Sequence, residues 1–230
     1  MKNWHRPQPL TLAVIALTFG SGATDVACFT RVGGVFASVM TGNIVLWGLA
    51  AAHGSLSLFS HATVSLAGYV VGVIAGTRIA YGLRAKKGEG GVWPEHVTWA
   101  LRAELVLLAG FTVGWEVSGG RPAGWAQYCL LAAAAAAMGV QAAAARDMGL
   151  AEVTTTYLTG TLTALVSSLA RPGLETPHRA RRFSVLFGLA AGASLSGLLI
   201  ATAADAMPTL PLAGVVTALV LADRNRPSRS

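Results

Sequence analysis

The sequence has 230 residues, of which 53% are hydrophobic and only 12% are charged. A soluble domain carries about a quarter charged residues, so this composition argues against a water-exposed globular protein and indicates a chain dissolved in lipid. The formal net charge of +7 does not indicate nucleic-acid binding, because the basic residues flank apolar segments as they do in membrane proteins.

Apolar runs of about 18 or more residues with few charges predict transmembrane helices. Eight segments are long enough or nearly so, and in chain order they cover about 10–29, 33–52, 62–83, 97–115, 123–145, 153–170, 183–204 and 206–222. Gly, Ala and Ser are abundant within them, which suits helices that pack closely in a bilayer. The predicted fold is all-α: a polytopic helical bundle that forms a single membrane domain over residues 1–230.

Two of these segments, the second and the sixth, are interrupted by similar polar triplets. Thr41, Gly42 and Asn43 form the first triplet, and "TGT" at 159–161 forms the second. Glycine weakens a helix by about 1 kcal/mol relative to Ala, and Thr or Asn can cap a helix that starts there. The pattern predicts two broken or re-entrant helices beside six full spans, since such backbone is tolerated where it lines a cavity. In the alternative, with seven or eight spans, the triplets are hydrogen-bonding groups between ordinary helices.

The distribution of basic residues favours six spans. If both triplet segments enter and leave on one face, every basic cluster, including "RAKK" at 84–87, falls on the same side as both termini. Only Arg31 and Arg121 then lie on the opposite side. By the positive-inside rule, this arrangement predicts a multi-pass protein of the bacterial cytoplasmic (inner) membrane with both termini in the cytoplasm.

The chain also shows signs of an internal two-fold repeat. Each triplet segment follows a long apolar helix that ends in polar residues, and each precedes a helix with spaced glycines, as at 68, 72 and 76 and at 188, 192 and 197. We predict repeat A at about 10–83, a linking helix at about 97–117, repeat B at about 125–204 and a terminal helix at about 206–222. With six spans the two repeats are inverted, which is typical of secondary transporters.

Two stretches carry a resemblance to a known family. "LTFGSGATDVACFTRVGGVFASVMTGNIVLWGLA" at 17–50 and "MGVQAAAARDMGLAEVTTTYLTGTLTALVSSLA" at 138–170 resemble the two signature blocks of the YoaK-like family of bacterial membrane proteins, domain-of-unknown-function family 1275. The resemblance implies a multi-span inner-membrane protein and no particular activity. The chain departs from the family pattern at Ala142, where Asn is frequent.

Asp25 is the main candidate for a functional side chain, because a carboxylate inside an apolar helix usually faces a cavity or a partner. In the alternative, Asp25 caps the next segment or pairs with Arg31. Gln141 occupies the corresponding place in repeat B, and Glu104 in the fourth segment is a second-tier candidate. The predicted substrate-binding set is Asp25, Thr41, Gly42, Asn43, Gln141, Thr159, Gly160 and Thr161.

The sequence contains no catalytic, cofactor-binding or metal-ligand motif, so we expect neither an enzyme nor a bound cofactor or metal. The repeat, the interrupted helices and Asp25 predict a small-solute or ion-coupled transporter with a midplane site between the repeats. The alternatives are a non-transporting membrane component, such as an assembly partner or sensor, and a channel. The expected partners are the lipid bilayer and an unidentified small solute or ion, and assembly into a homo-oligomer stays open.

Overall fold

The computed structural model describes residues 8–84, 94–147, 158–170 and 179–224, and every regular element within those ranges is helical. The α-helices in chain order are α1 Gln8–Arg31, α2 Met40–His53, α3 Leu56–Arg84, α4 Glu95–Val117, α5 Trp125–Asp147, α6 Leu158–Leu169, α7 Arg179–Thr202 and α8 Thr209–Arg224. A short 3-10 helix, Ala204–Ala206, precedes α8.

Six of the helical segments are long and apolar enough to cross a membrane. They are α1, α3, α4, α5, α7 and the combination of the 3-10 helix with α8, and they contribute spans of 21 to 27 residues. By contrast, α2 has 14 residues and α6 has 12. At 1.5 Å per residue they measure about 21 and about 18 Å, short of the roughly 30 Å hydrocarbon core. The predicted all-α bundle of six full spans and two short helices is confirmed, and the alternative of seven or eight spans is not what the chain forms.

Close contacts between α1 and α7 show that these two helices run in the same direction. Gly188 lies against Ile15, Gly192 lies against Phe19, and the Ser196 hydroxyl donates to the Ala23 carbonyl at 2.9 Å. Residue numbers therefore rise together along the pair. A Cβ at Gly192 would overlap the carbonyl oxygen of Phe19, so glycine is needed for this close approach.

The same kind of contact joins α3 and α5, which are also parallel. Gly68 packs on Ala132, and Gly72 packs on Ala136 so closely that a Cβ would overlap the Ala136 carbonyl oxygen. In contrast, α1 and α5 are antiparallel. The Gln127 amide at the start of α5 donates to the Arg31 carbonyl at the end of α1, at 3.3 Å, and the earlier Ser21 of α1 bonds to the later Gln141 of α5, at 2.7 Å.

These directions determine how the short helices sit. Because α3 is parallel to α5, and α5 is antiparallel to α1, α3 runs opposite to α1. The end of α1 and the start of α3 therefore lie on the same face, and α2 between them does not cross. The same argument applies to α6, which joins α5 to the oppositely directed α7. Both short helices are re-entrant.

The remaining spans continue the alternation. Gly114 of α4 lies against Leu130 near the start of α5, and Gly20 of α1 lies against Pro211 near the start of α8. On α4 the earlier residue Glu104 bonds to the later residue Gln141 of α5, so these two helices are antiparallel. On α8 the later residue Gly214 lies against the earlier residue Ala16 of α1, so α8 and α1 are also antiparallel. The six crossings therefore place the start of α1 and the end of α8 on one face, while Lys86 and Lys87 of the predicted cytoplasmic cluster lie outside the described residues.

The bundle core lies where α1, α4, α5 and α8 meet. Phe111 and Trp115 of α4 are fully buried there, and the Trp115 indole N–H donates to the Ala204 carbonyl at 2.9 Å. The Ala-rich α5 allows its neighbours to approach closely. Large apolar side chains on the outer helix faces are exposed, including Val70, Val106 and Phe187, as expected for surfaces in contact with lipid.

Candidate functional site

Residues 32–39 form a loop that returns from the end of α1 into the bundle before α2 begins. The reversal uses Gly33 and Gly34, whose φ angles of 98° and 73° are favourable only for glycine. The ring of His61 packs directly against Gly33. Ala37 and Ser38 near the end of the loop are fully buried, so their backbone polar groups need partners inside the protein.

Asp25 of α1 supplies those partners. Its Oδ1 accepts hydrogen bonds from the backbone N–H groups of Ala37 and Ser38, each at 2.8 Å, and its Oδ2 accepts from the Ser38 hydroxyl. Asp25 lies six residues before Arg31, about 9 Å below the end of α1, so the loop reaches that depth. The carboxyl group thus holds the loop with three donors, but it does not cap α2, whose N-cap is Val39 and has no side-chain hydrogen bond. Arg31 bonds to the Ile200 carbonyl rather than to Asp25, so both forms of the alternative interpretation are wrong in detail.

Asn43, the last residue of the first triplet, holds the same loop from the other side. Its Oδ1 accepts from the Phe36 N–H at 2.9 Å, and its Nδ2 donates to the Phe36 carbonyl at 2.7 Å and to the Ser65 hydroxyl oxygen at 2.9 Å. The Ser65 hydroxyl in turn donates to the Phe36 carbonyl at 2.6 Å. The loop is therefore fixed to α1 by Asp25 and to α3 through Asn43 and Ser65.

A second buried polar cluster lies where α1, α4 and α5 meet, and its members are Ser21, Glu104 and Gln141. The Ser21 hydroxyl donates to Gln141 Oε1 at 2.7 Å, and Gln141 Nε2 donates to Glu104 Oε1 at 3.0 Å. Glu104 has no exposed surface, and its Oε2 has no hydrogen-bond partner among the described residues. We call this group the Glu104 cluster.

The Glu104 cluster lies deep in the membrane-spanning part of the bundle. Ser21 is near the middle of the span Leu10–Arg31, and Glu104 is near the middle of the span Glu95–Val117. Polar groups at such depth are costly and usually mark functional positions. In the ranges that the structure describes, no group of three His, Cys, Asp or Glu side chains is placed to hold a metal ion.

The comparisons with known proteins agree with this architecture. A family model described as "Protein of unknown function (DUF1275)" matches residues 13–222. The chain belongs to the DUF1275 family. It is also 33% identical over 159 residues to the "UPF0700 transmembrane protein YoaK" of Bacillus subtilis (strain 168), a match covering 69% of this chain and 66% of that protein. The chain thus spans slightly less than two thirds of the length of this relative. No solved structure matches the chain.

The eight predicted site residues of this DUF1275 protein do not form one cluster. Asp25 and Asn43 both bind the 32–39 loop, whereas Gln141 belongs to the Glu104 cluster. Of the other five predicted residues, Thr41, Thr159 and Gly160 are exposed, Gly42 is half-buried and Thr161 is buried on α6.

Four residues of the two clusters are absent from the predicted set: Ser21, Ser38, Ser65 and Glu104. The three serines are missing because serines in small-residue helices and loops are common and only a distant contact distinguishes them. Glu104 is only a second-tier candidate in the sequence, although its place two positions after Arg102 indicates a different helix face and a greater depth. Its partners Gln141 and Ser21, which lie on other helices, are what distinguish it in the structure.

Proposed function

We propose that this protein is a small-solute or ion-coupled transporter whose site lies at mid-membrane, where its two halves meet. The observation that carries the proposal is the Glu104 cluster, a buried carboxyl group with a free oxygen at the crossing of α1, α4 and α5. Ionisable residues at such depth face substrate or ion pathways in most membrane proteins. The proposal assigns no catalytic residue.

Matched contacts in the two halves support an inverted repeat. The contact Ile15–Gly188 between α1 and α7 matches Ala132–Gly68 between α5 and α3, and Phe19–Gly192 matches Ala136–Gly72. In both matches the α5 residue comes 117 positions after the α1 residue, and the α7 glycine comes 120 positions after the α3 glycine. Constant offsets are expected if one packing arrangement occurs twice, and the antiparallel α1 and α5 would then be equivalent helices related by an axis in the membrane plane.

The short helices fit the same relation. On α2, Trp47 bonds to Thr63 and the earlier Asn43 bonds to the later Ser65 of α3. On α6, the Ser168 carbonyl near its end accepts from Arg179 at the start of α7, and Leu158 at its start packs in one cluster with Val185 further along α7. Each short helix is therefore antiparallel to the long helix that follows it. Re-entrant helices at equivalent places in inverted halves are a recurring feature of secondary transporters.

We also infer that the face carrying the start of α1 and the end of α8 is cytoplasmic, in the bacterial inner membrane. Arginines at helix ends on this face outnumber those on the other, where Arg31 and Arg121 lie; they are Arg84, Arg146, Arg179, Arg181, Arg182 and Arg224. In intact cells, a membrane-impermeant thiol reagent should label a cysteine placed at Arg121 and leave one placed at Arg224 unlabelled. The reverse labelling would overturn this orientation.

The transport proposal is tested in proteoliposomes that contain a pH-sensitive dye. A panel of small anions, amino acids, sugars and metal ions is applied with and without an imposed pH gradient. We expect at least one solute to move together with protons. Gln141→Leu, which removes the central amide of the Glu104 cluster, should abolish that movement, whereas Gln127→Leu at the outer end of α5 should retain it.

Two other results would each replace the proposal. Electrical conductance that needs no gradient coupling would indicate a channel. The absence of any flux across the panel, with protein that is folded and correctly inserted, would favour a non-transporting membrane component such as an assembly partner or sensor.

A further inference from the structure

The hydrogen bonds of the Glu104 cluster form a chain that ends on an unsatisfied oxygen. The Ser21 hydroxyl has two acceptors within reach, Gln141 Oε1 at 2.7 Å and the Leu17 carbonyl at 3.1 Å. Gln141 Nε2 donates to Glu104 Oε1 at 3.0 Å and lies 3.4 Å from the Leu17 carbonyl. Glu104 Oε2 receives no donor from the described residues. In this arrangement the Glu104 carboxyl group therefore receives one N–H donor, that of Gln141.

An ionised Glu104 would leave a charge in an apolar environment with that single donor. Removing a carboxylate from water costs several kcal/mol unless a cation or several hydrogen bonds compensate. A metal cation would need several more oxygen ligands than the one free oxygen of this cluster. A proton needs only one carboxylate oxygen, so it is the ligand that fits the site.

The Gln141 amide can pair with Glu104 in either protonation state. As described above, its Nε2 faces the carboxylate and its Oε1 accepts from Ser21, which suits an ionised Glu104. A half-turn of the amide exchanges these two atoms, and the oxygen and nitrogen of an amide occupy nearly the same space. Gln141 Oε1 would then accept the O–H of a protonated Glu104, and Nε2 would donate to Ser21 Oγ. Ser21 would then donate its one hydroxyl hydrogen to the Leu17 carbonyl, which lies within reach at 3.1 Å.

Other titratable groups on the surrounding helices do not pair with Glu104. Asp25, one turn beyond Ser21 on α1, is engaged by Ala37 and Ser38. Tyr69 of α3 is half-buried. Two more groups are half-buried and have other partners: Arg31 of α1 donates to the Ile200 carbonyl, and the Tyr128 hydroxyl of α5 bonds to Ser60. The other groups whose burial is described on these helices are exposed, and they are Arg78 and Tyr81 of α3, Glu95, Arg102 and Glu116 of α4, Cys129 and Arg146 of α5, Asp205 of the 3-10 helix, and Asp223 and Arg224 of α8. Three further groups lie buried near helix ends: Cys28 of α1, His61 of α3 and His96 of α4.

We propose that Glu104 is an exchangeable proton-binding site in the membrane interior, and that Gln141 is a positioning residue whose amide turns to pair with both protonation states. The step is balanced: one proton from water adds to the Glu104 carboxylate to give the carboxylic acid, and it returns to water on release. The proposal deepens the transport function proposed above and rests on it only for the purpose that the proton serves.

The test is infrared spectroscopy of the full chain in lipid nanodiscs over a series of pH values. The carbonyl stretch of a protonated carboxylic acid is separate from the bands of ionised carboxylates. We expect such a band to disappear reversibly on raising the pH and to shift to lower wavenumber in D2O. It should be absent in Glu104→Gln and be retained in Asp25→Asn and in Glu116→Gln, which is the same change at an exposed position of α4.

A second variant keeps the test decisive if Glu104→Gln fails to fold. Glu104→Asp retains a carboxyl group and should move the band without removing it. Gln141→Leu should move the band to higher wavenumber, because the carboxylic acid loses its hydrogen-bond partner, which a merely structural role in packing would not cause. A band that is unchanged in Gln141→Leu would overturn the positioning role.

Three outcomes would overturn the proton site itself: a band that persists in Glu104→Gln, a Glu104 band that does not respond to pH, or one that does not exchange in D2O. These results are independent of transport. Solute-driven proton flux without a Glu104 band would refute this proposal and leave the proposed function in place. A titrating, exchanging band in a protein that moves no solute would refute the function and leave the proton site in place.

Discussion

Asp25 on α1 and Glu104 on α4 are both buried carboxyl groups within membrane spans, and they differ in the number of donors that reach them. Two backbone N–H groups and one hydroxyl point at Asp25, whereas a single amide points at Glu104. A carboxylate surrounded by donors stabilises what it holds, in this case the 32–39 loop. A carboxyl group with a free oxygen is poorly explained as a structural element, and this difference is why we place proton binding at Glu104.

The two carboxyl groups also differ in their location in the bundle. The Asp25 contacts fix the start of a re-entrant helix near one face, and the Glu104 cluster lies at the crossing of the two halves. Breaking the first should therefore affect stability and breaking the second should affect function.

The largest effect is expected for Asp25→Ala. The substitution leaves the N–H groups of Ala37 and Ser38 and the Ser38 hydroxyl without their acceptor in a buried loop. An unsatisfied buried donor costs about 1–3 kcal/mol, and some of these groups can find other partners, so we expect a loss of about 3–5 kcal/mol. Thermal unfolding of the detergent-solubilised protein, followed by loss of the monodisperse peak in size-exclusion chromatography, measures the change.

The matched control is Ser38→Ala, which removes one of the three donors and leaves both backbone bonds in place. Its cost should be about 1 kcal/mol. If Asp25→Ala is no more destabilising than Ser38→Ala, the carboxyl group does not hold the loop, and the substrate-binding role predicted for Asp25 from the sequence becomes the better explanation.

The architecture could be predicted from the sequence to a large extent because lipid restricts it strongly. Apolar segment length alone allows eight crossings, whereas the polar triplets and the side on which basic residues fall predict six crossings and two re-entrant helices, and the helix directions agree with six. The start of α2 at Met40 was harder to predict from the sequence. The apolar residues 33–39 read as part of a helix, and their folding into a loop depends on Gly33, Gly34 and contacts with Asp25.

The site was harder to predict because partner atoms decide it. Asp25 is conspicuous in the sequence, but its donors are 12 and 13 residues away in a loop that has no regular pattern. Gln141 was identified as a candidate, yet its partners Ser21 and Glu104 come from other helices. Helical spacing within one segment carries no information on such contacts. The internal repeat stays a prediction, and the constant offsets between matched glycine contacts support it.

The smallest effects on the free energy of unfolding are expected for two single variants, in each of which one carboxyl group is converted to the amide of the same size. In Asp25→Asn, the amide oxygen can still accept from Ala37 and Ser38, but the Nδ2 group cannot accept from the Ser38 hydroxyl, so we expect a loss of about 1–2 kcal/mol. In Glu104→Gln, one amide oxygen keeps the bond from Gln141, and a buried ionisable group without a counter-charge disappears. Replacing such a group by a neutral one of equal volume is often neutral or stabilising, so the change should lie within about 1 kcal/mol of the wild type or raise stability. The two variants are unfolded side by side in the same detergent. Equal destabilisation in both would mean that Glu104 is held by contacts as complete as those of Asp25, and the contrast on which the proton site rests would be lost.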